Sequence, residues 1–204
     1  MKKNMTVFYE VYGNLYVNLT NECPCSCKFC LRQTNDHVGS ADSLWLEHNP
    51  DMEEILGQLE KQDLGKYKEV VFCGFGEPTQ ALENLIATAK KIREISDLKI
   101  RVNTNGLGNL INEKDITPLF KDLVDTVSIS LNTPDPEKYF ELVRPRFGRQ
   151  SFDEMLKFAG SCTKYVPNVV MTTVETTLTH EEEEECRKIC EKLGAKYRIR
   201  EWIN

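Results

Sequence analysis

The 204-residue chain carries 26 Lys+Arg against 32 Asp+Glu, a formal net charge of −6, and 40% of its residues are hydrophobic, which is enough for one domain, 1–204, with a full-sized core. No apolar run approaches the ~20 residues that a bilayer span requires, and Met1-Lys2-Lys3-Asn4 leads into Thr6-Val7-Phe8 rather than into an apolar leader core. Those two features lead to the expectation of a cytoplasmic protein, and an acidic chain without a Lys/Arg cluster in its sequence is a poor binder of bulk nucleic acid or anionic membrane.

The first element expected is a hairpin, Thr6–Val11 and Leu15–Leu19 around a Gly13-Asn14 turn. Its second strand runs into a cysteine cluster, and after that comes an irregular polar stretch whose only apolar island is Leu44-Trp45-Leu46. Asn49 can cap a helix with Pro50 at its first position and Met52, Ile55, Leu56 and Leu59 on one face. From there strand and helix patterns alternate with a period of roughly 30 residues, one strand-plus-helix unit. Strands are expected at Val70–Cys73, Ile100–Val102, Val127–Leu131, Asn168–Met171 and Tyr197–Arg200. The intervening helices carry Leu82 to Ile92, a less regular stretch through Leu119-Phe120, a Ser151/Glu154 capping box and a Thr179/Glu182 capping box.

Six strand positions counted from Leu15, with helices between, imply a parallel α/β sheet with right-handed crossovers. Eight such units close a TIM barrel, so six predict an open partial (β/α)6 barrel behind an N-terminal β-hairpin. A doubly wound sheet is the alternative. Function in either fold gathers at the carboxyl ends of the strands. The segments at those ends are polar or glycine-rich here: Gly74-Phe75-Gly76-Glu77-Pro78, then Asn103-Thr104-Asn105-Gly106, then Ser130-Leu131-Asn132.

Four of the eight cysteines lie in Cys23-Pro24-Cys25-Ser26-Cys27-Lys28-Phe29-Cys30. Cys23, Cys27 and Cys30 have CxxxCxxC spacing, and three thiolates on one loop suit three corners of a cubane while leaving the fourth iron open. Structural zinc normally joins two separated pairs, and no second pair follows the cluster at ~15–20 residues, Cys73 being isolated. Cys25 reads as a neighbour of the ligand set, and Cys186 and Cys190 as core residues on a helix face.

With Phe29 before the last cysteine, the motif resembles that of the radical S-adenosylmethionine (radical SAM) superfamily, in which CxxxCxΦC holds a [4Fe-4S] cluster and the open iron chelates S-adenosylmethionine. Gly76-Glu77-Pro78 looks like the family's Gly-Gly-Glu-Pro segment, with Phe75 in place of its first glycine and Gly74 one position earlier. The resemblance runs from about Tyr12 to Arg200. Tyr12–Tyr16, Asn18–Gln33 and Arg144–Gly148 further resemble a subgroup named for its association with TatD-type hydrolases.

The resemblance implies metal ligation by Cys23, Cys27 and Cys30. It implies cofactor contacts from Phe29, Gly74, Gly76, Glu77, Pro78, Asn103, Asn105, Ser128, Ser130 and Asn132. Among these, Glu77 would face the methionyl ammonium, and the later polar residues the ribose and carboxylate. Arg144 or Arg146 could hold a carboxylate bidentately, although a surface arginine is the commoner case. The glycine and asparagine segments can equally be read as turns. The implied activity is reductive cleavage of S-adenosylmethionine to methionine and a 5′-deoxyadenosyl radical that takes hydrogen from an unnamed substrate. An electron donor such as a flavodoxin or ferredoxin is implied as partner, with a functional link to a TatD-type hydrolase. The alternatives are an activase that installs a radical on a protein partner and a non-catalytic metal or electron-transfer protein.

Overall fold

The computed structural model describes residues 3–201. Met1 and Lys2, part of the stretch considered for a leader, lie outside them. The described residues form two compact units, one within Met1–Cys23 and Phe29–Asn103, the other within Pro24–Lys28 and Thr104–Asn204.

In the first unit the hairpin pairs β1 (Phe8–Val11) with β2 (Asn14–Val17), Val11 facing Asn14. The turn is therefore Tyr12-Gly13 and not Gly13-Asn14. Both turn residues hold positive φ, 50° and 73°, as two-residue hairpin turns require. Then come α1 (Met52–Leu59), β3 (Glu69–Phe72), α2 (Leu82–Ile95) and β4 (Lys99–Thr104). The cap of α1 is Asp51, which forms a capping box with Glu54. Asn49, expected to cap, accepts instead from the Thr20 hydroxyl at 3.0 Å and donates to Glu22 at 3.0 Å.

β2, β3 and β4 pair in parallel. Register aligns Leu15 with Val70 and Ile100, and Val17 with Phe72 and Val102, all at most 1% exposed. That face is the core side, as the period-2 pattern demands. The opposite face is mixed: Tyr16 aligns with Val71 and Arg101, and the Arg101 guanidinium forks onto the Glu69 carboxylate at 2.6 and 3.2 Å.

The second unit contains α3 (Gly108–Asn112), β5 (Thr126–Ser130), α4 (Pro136–Val143), α5 (Ser151–Cys162), β6 (Asn168–Val174), α6 (His180–Leu193) and β7 (Lys196–Arg200). β5, β6 and β7 pair in parallel. Gly106, at φ 79°, permits the packing here: a Cβ would lie 2.7 Å from Met155 and 2.9 Å from Ile129. The expected Thr179/Glu182 capping box is present. The Ser151/Glu154 box is not, because the chain enters α5 with Gln150 already in helical conformation and the Ser151 hydroxyl is buried. α4, headed by Asp135 as cap and Pro136, is an element that the sequence pattern does not predict.

The class is α/β and, apart from the antiparallel hairpin, parallel, with the strands in chain order within each unit. The outer strands β1 and β7 each have one neighbour, so the array is open rather than closed.

Candidate functional site

The segment entering the cysteine cluster, residues 18–22, is fastened by side chains. Asn18 is fully buried and its amide donates to the Leu44 and Thr6 carbonyls at 2.8 and 3.2 Å. Asn21 makes a reciprocal pair with the backbone of Leu46, donating at 2.8 Å and accepting at 3.0 Å, the two bonds that a neighbouring strand would make. The apolar island of the polar stretch is thereby explained, since Leu44 and Leu46 are fully buried and supply the backbone that these asparagines bind.

The Gly74–Pro78 loop closes on the same segment. A Cβ on Gly76 would lie 2.2 Å from the Thr20 carbonyl oxygen and 2.8 Å from that of Glu22, and one on Gly74 2.0 Å from Asn18 Oδ1. Both glycines thus allow close approach, and the approaching group is this chain's own residues 18–22. The Glu77 N–H donates to the Glu22 carbonyl at 2.7 Å, and Arg32 donates to the carbonyls of Asn21 and Phe75 at 3.2 and 3.3 Å. Phe75 is 7% exposed and edge-on to Trp45, 5.4 Å between centroids. It lies in an apolar cluster with Tyr9, Val11 and Leu44. Glu77 is 4% exposed. It caps the tight turn Pro78–Ala81, one oxygen accepting from the Thr79 amide and hydroxyl at 3.2 and 2.8 Å. Pro78 is buried in that turn. Asn103 accepts from Arg101 at 3.1 Å.

Pro24–Lys28, which belongs to the second unit, is held by backbone. Ser26 and Lys28 donate to the Val143 and Leu142 carbonyls at 3.1 and 2.9 Å, Arg146 donates to Pro24 at 2.9 Å, and Cys25 bridges Pro145 in antiparallel fashion. This explains the Arg-Pro-Arg-Phe-Gly segment: it is the scaffold against which the cysteine loop pairs. Arg144 itself is exposed and holds φ 48° as the left-handed cap of α4. Cys25 is 2% exposed and accepts from the Asn105 amide at 3.6 Å, while Asn105 Oδ1 accepts from Leu107 N–H at 2.8 Å. Ser128 is 6% exposed with Arg198 at 3.4 Å. Ser130 accepts through its carbonyl from Asn132, a residue at φ 65°.

Cys23, Cys27 and Cys30 are half-buried, and Phe29 beside them is 40% exposed. Among the described residues no three Cys, His, Asp or Glu side chains converge on one point as ligands of a single ion would. A cubane takes one thiolate per iron, so its ligands need no such convergence. The donor set fits that group: three reachable thiols, with the intervening Cys25 turned into the interior. The sequence alone gives Asn18, Asn21 and Arg32 no structural role, and it does not disclose the pairing of Pro24–Lys28 with residues 142–146.

A family model of the radical SAM superfamily matches residues 17–193. The chain belongs to that superfamily. Curated relatives of this radical SAM chain include a probable dual-specificity RNA methyltransferase RlmN from Pseudothermotoga lettingae, 24% identical over 77% of this chain and 44% of the relative. A GTP 3′,8-cyclase of Corynebacterium glutamicum is 34% identical over 67% of this chain and 35% of the relative. The chain thus spans less than half the length of these curated relatives. Among solved structures, Streptococcus suis SuiB bound to S-adenosylmethionine aligns with TM-score 0.60 at 21% identity over 93% of this chain and 38% of that one. Methylornithine synthase aligns with TM-score 0.61 at 16% identity, covering 93% and 53%. The fold of these radical SAM proteins, an open partial barrel, is the fold of this chain. Superfamily members carry a [4Fe-4S] cluster and S-adenosylmethionine and depend on a reductant. No described helix is long and apolar enough to cross a membrane.

Proposed function

We propose that the chain acts as one radical SAM domain, 1–204, and is an enzyme that cleaves S-adenosylmethionine reductively. The cluster and S-adenosylmethionine supply, when bound, a one-electron break of the sulfonium that gives methionine and a 5′-deoxyadenosyl radical able to take hydrogen from a substrate. The observation that carries this reading is the sorting of the four clustered cysteines. Cys23, Cys27 and Cys30 stay reachable, while Cys25 is buried against Asn105.

The chain's residues take these roles. Cys23, Cys27 and Cys30 donate the three thiolates. Glu77, buried and fixed by Thr79, offers a carboxylate to the methionyl ammonium, for which a buried acid in a narrow loop is a suitable counter-charge. Gly74, Gly76 and Pro78 set the path of that loop. Asn103 and Ser130 lie within the last two residues of β4 and β5, Asn105 and Asn132 follow those strands and Ser128 lies within β5, and these five are the candidates for ribose and carboxylate contacts, with Arg144 a further candidate for the carboxylate. Phe29 shields the cluster. A flavodoxin or ferredoxin serves as the electron donor. The motifs Tyr12–Tyr16, Asn18–Gln33 and Arg144–Gly148 support membership of the TatD-associated subgroup, with a functional link to a TatD-type hydrolase. The reduced thiols that the cluster requires suit the cytoplasm.

Anaerobic reconstitution with iron and sulfide, reduction by dithionite and addition of S-adenosylmethionine tests the reading. 5′-Deoxyadenosine is expected by chromatography, and none from Cys27→Ala. A fully loaded, reduced protein that binds S-adenosylmethionine and still releases no nucleoside would overturn it.

A further inference from the structure

The asparagines at and just beyond the ends of β4 and β5 differ in which part of the amide is already bonded. Asn105 is engaged on both sides, its oxygen by the Leu107 N–H at 2.8 Å and its NH2 group by Cys25 Sγ at 3.6 Å. Asn132 directs its NH2 group to the Ser130 carbonyl at 3.4 Å. Asn103 is the reverse of Asn132: its Oδ1 accepts from Arg101 Nη1 at 3.1 Å, and its NH2 group has no partner among the described residues. Arginine only donates, so this contact leaves the carboxamide one orientation, oxygen toward Arg101 and NH2 away from it.

Arg101 is itself held. Its Nη2 and Nε donate to the Glu69 carboxylate at 2.6 and 3.2 Å, and the two side chains are only 14% and 26% exposed. Bidentate pairing fixes the plane of a guanidinium. Arg101 and Asn103 stand two apart on β4, so they project from the same face, and the third donor edge of the fork reaches Asn103. Register sets Val102 beside Phe72. Asn103 is therefore level with Cys73, the residue before the Gly74–Pro78 loop that carries Glu77. An ion pair largely withdrawn from water stabilises a fold little more than apolar side chains of the same size would, and the β3 partner of Arg101 is the apolar Val71. What the pair adds is direction.

We propose that Glu69 and Arg101 are positioning residues that set the polarity of the Asn103 carboxamide, so that its NH2 group donates to an acceptor oxygen of bound S-adenosylmethionine. The inference rests on the radical SAM reading above. The acceptor is a ribose hydroxyl or the methionyl carboxylate, which share an oxygen lone pair. Without Arg101 the amide is free to turn over and present its oxygen, and a donor aimed only part of the time binds an acceptor less well. The pair makes and breaks no covalent bond and moves no proton, so it acts on binding and leaves the cleavage step alone.

The test is calorimetric titration of cluster-loaded, unreduced protein with S-adenosylmethionine, which requires no turnover. Asn103→Ala is expected to weaken binding about tenfold, the loss of one hydrogen bond. Arg101→Gln with Glu69→Gln removes the fork without stranding a charge, and should weaken binding about five- to tenfold at unchanged iron content. If that double replacement fails to load its cluster, Arg101→Lys takes its place, since an ammonium cannot bridge both partners as the fork does. The decisive readout is their coupling: Asn103→Ala added to the double replacement should cost less than about twofold more, because the amide it removes is no longer aimed. Additive losses, which a merely structural pair would give, overturn the positioning role, as does a double replacement that binds like the natural chain. Asn103→Asp still accepts from Arg101 and separates the two acceptors. Binding weaker than that of Asn103→Ala marks the carboxylate, by repulsion, and binding stronger than it marks a hydroxyl, which can donate to Asp. Asn103→Ala that binds like the natural chain overturns the contact itself. Failure of the unaltered, loaded protein to bind S-adenosylmethionine overturns the enzymatic reading instead, so the two failures are separable.

Discussion

The two arms of the cysteine loop are built by different means. The arm before Cys23 is held by named side chains, Asn18, Thr20, Asn21 and Asn49, and by two glycines that admit it against the Gly74–Pro78 loop. The arm from Pro24 to Lys28 is held by backbone bonds to residues 142–146, with Asn105 to Cys25 as a side-chain contact. Side-chain staples fix position tightly but fail when one residue changes. Backbone pairing tolerates substitution and leaves the exposed side chains free for another purpose.

The sharpest way to break this comparison is at the glycines. Gly76→Ala drives a Cβ into two carbonyl oxygens of the backbone, and neither can swing aside. A loss of about 3 kcal/mol or more is expected, read as a drop in melting temperature with less iron retained on reconstitution. Gly74→Ala meets a side chain, Asn18. It should be comparably damaging alone but less than additive with Asn18→Ala, which removes the two nearest atoms, Oδ1 and Cγ, and leaves only the Asn18 Cβ at 2.9 Å. Additive losses would mean that the loop, and not Asn18, resists the methyl group.

Next in size is Asn21→Ala. It deletes both bonds to Leu46, whose backbone groups lose their partner in a part of the chain that is fully buried, for an expected cost of roughly 2–3 kcal/mol. A loss below about 0.5 kcal/mol in denaturant unfolding would show that the staple is dispensable.

These staples also show what the sequence could and could not disclose. The strand and helix alternation is legible because alternating burial writes itself as Val70-Val71-Phe72 or Ile100 and Val102. The cysteine motif is legible because its spacing is local. Gly74 and Gly76 are legible as points of close approach, but not the identity of the approaching group, since that is set by a segment more than fifty residues away. Asn49 looks like a cap because capping and long-range bonding use the same amide, and only tertiary structure decides between them. The Pro24–Lys28 pairing is invisible because backbone donors carry no residue signature.

A smaller effect separates reactive from inert thiols. Burial pushes Cys186 up to about 12 and Cys190 to about 11, and both face the interior on α6. Their folded pKa values lie above that of an unfolded thiol, ~8.5, so their contribution is fully present below about pH 8.5 and is lost as pH climbs toward 11 to 12. The melting temperature of the natural chain should therefore fall more steeply with pH between about 8.5 and 10.5 than that of Cys186→Ala. Parallel pH slopes for the two proteins would sink this assignment.

The smallest expected change tests the backbone-held arm itself. Arg144, in the 142–146 segment that this arm pairs with, sits in the left-handed region, φ 48° and ψ 57°, a conformation that costs a side-chain-bearing residue about 1 kcal/mol. Its guanidinium is exposed, with no ion pair among the described residues, and its N–H satisfies the Phe140 carbonyl whatever the side chain. If the arm is carried by backbone alone, Arg144→Gly should raise stability by about 0.5–1 kcal/mol, relieving the strained position at the helix end, while Arg144→Ala should leave it almost unchanged because alanine keeps the Cβ. A fall of several degrees in the melting temperature of Arg144→Gly would instead place the Arg144 side chain among the staples, and the two arms would no longer differ in kind.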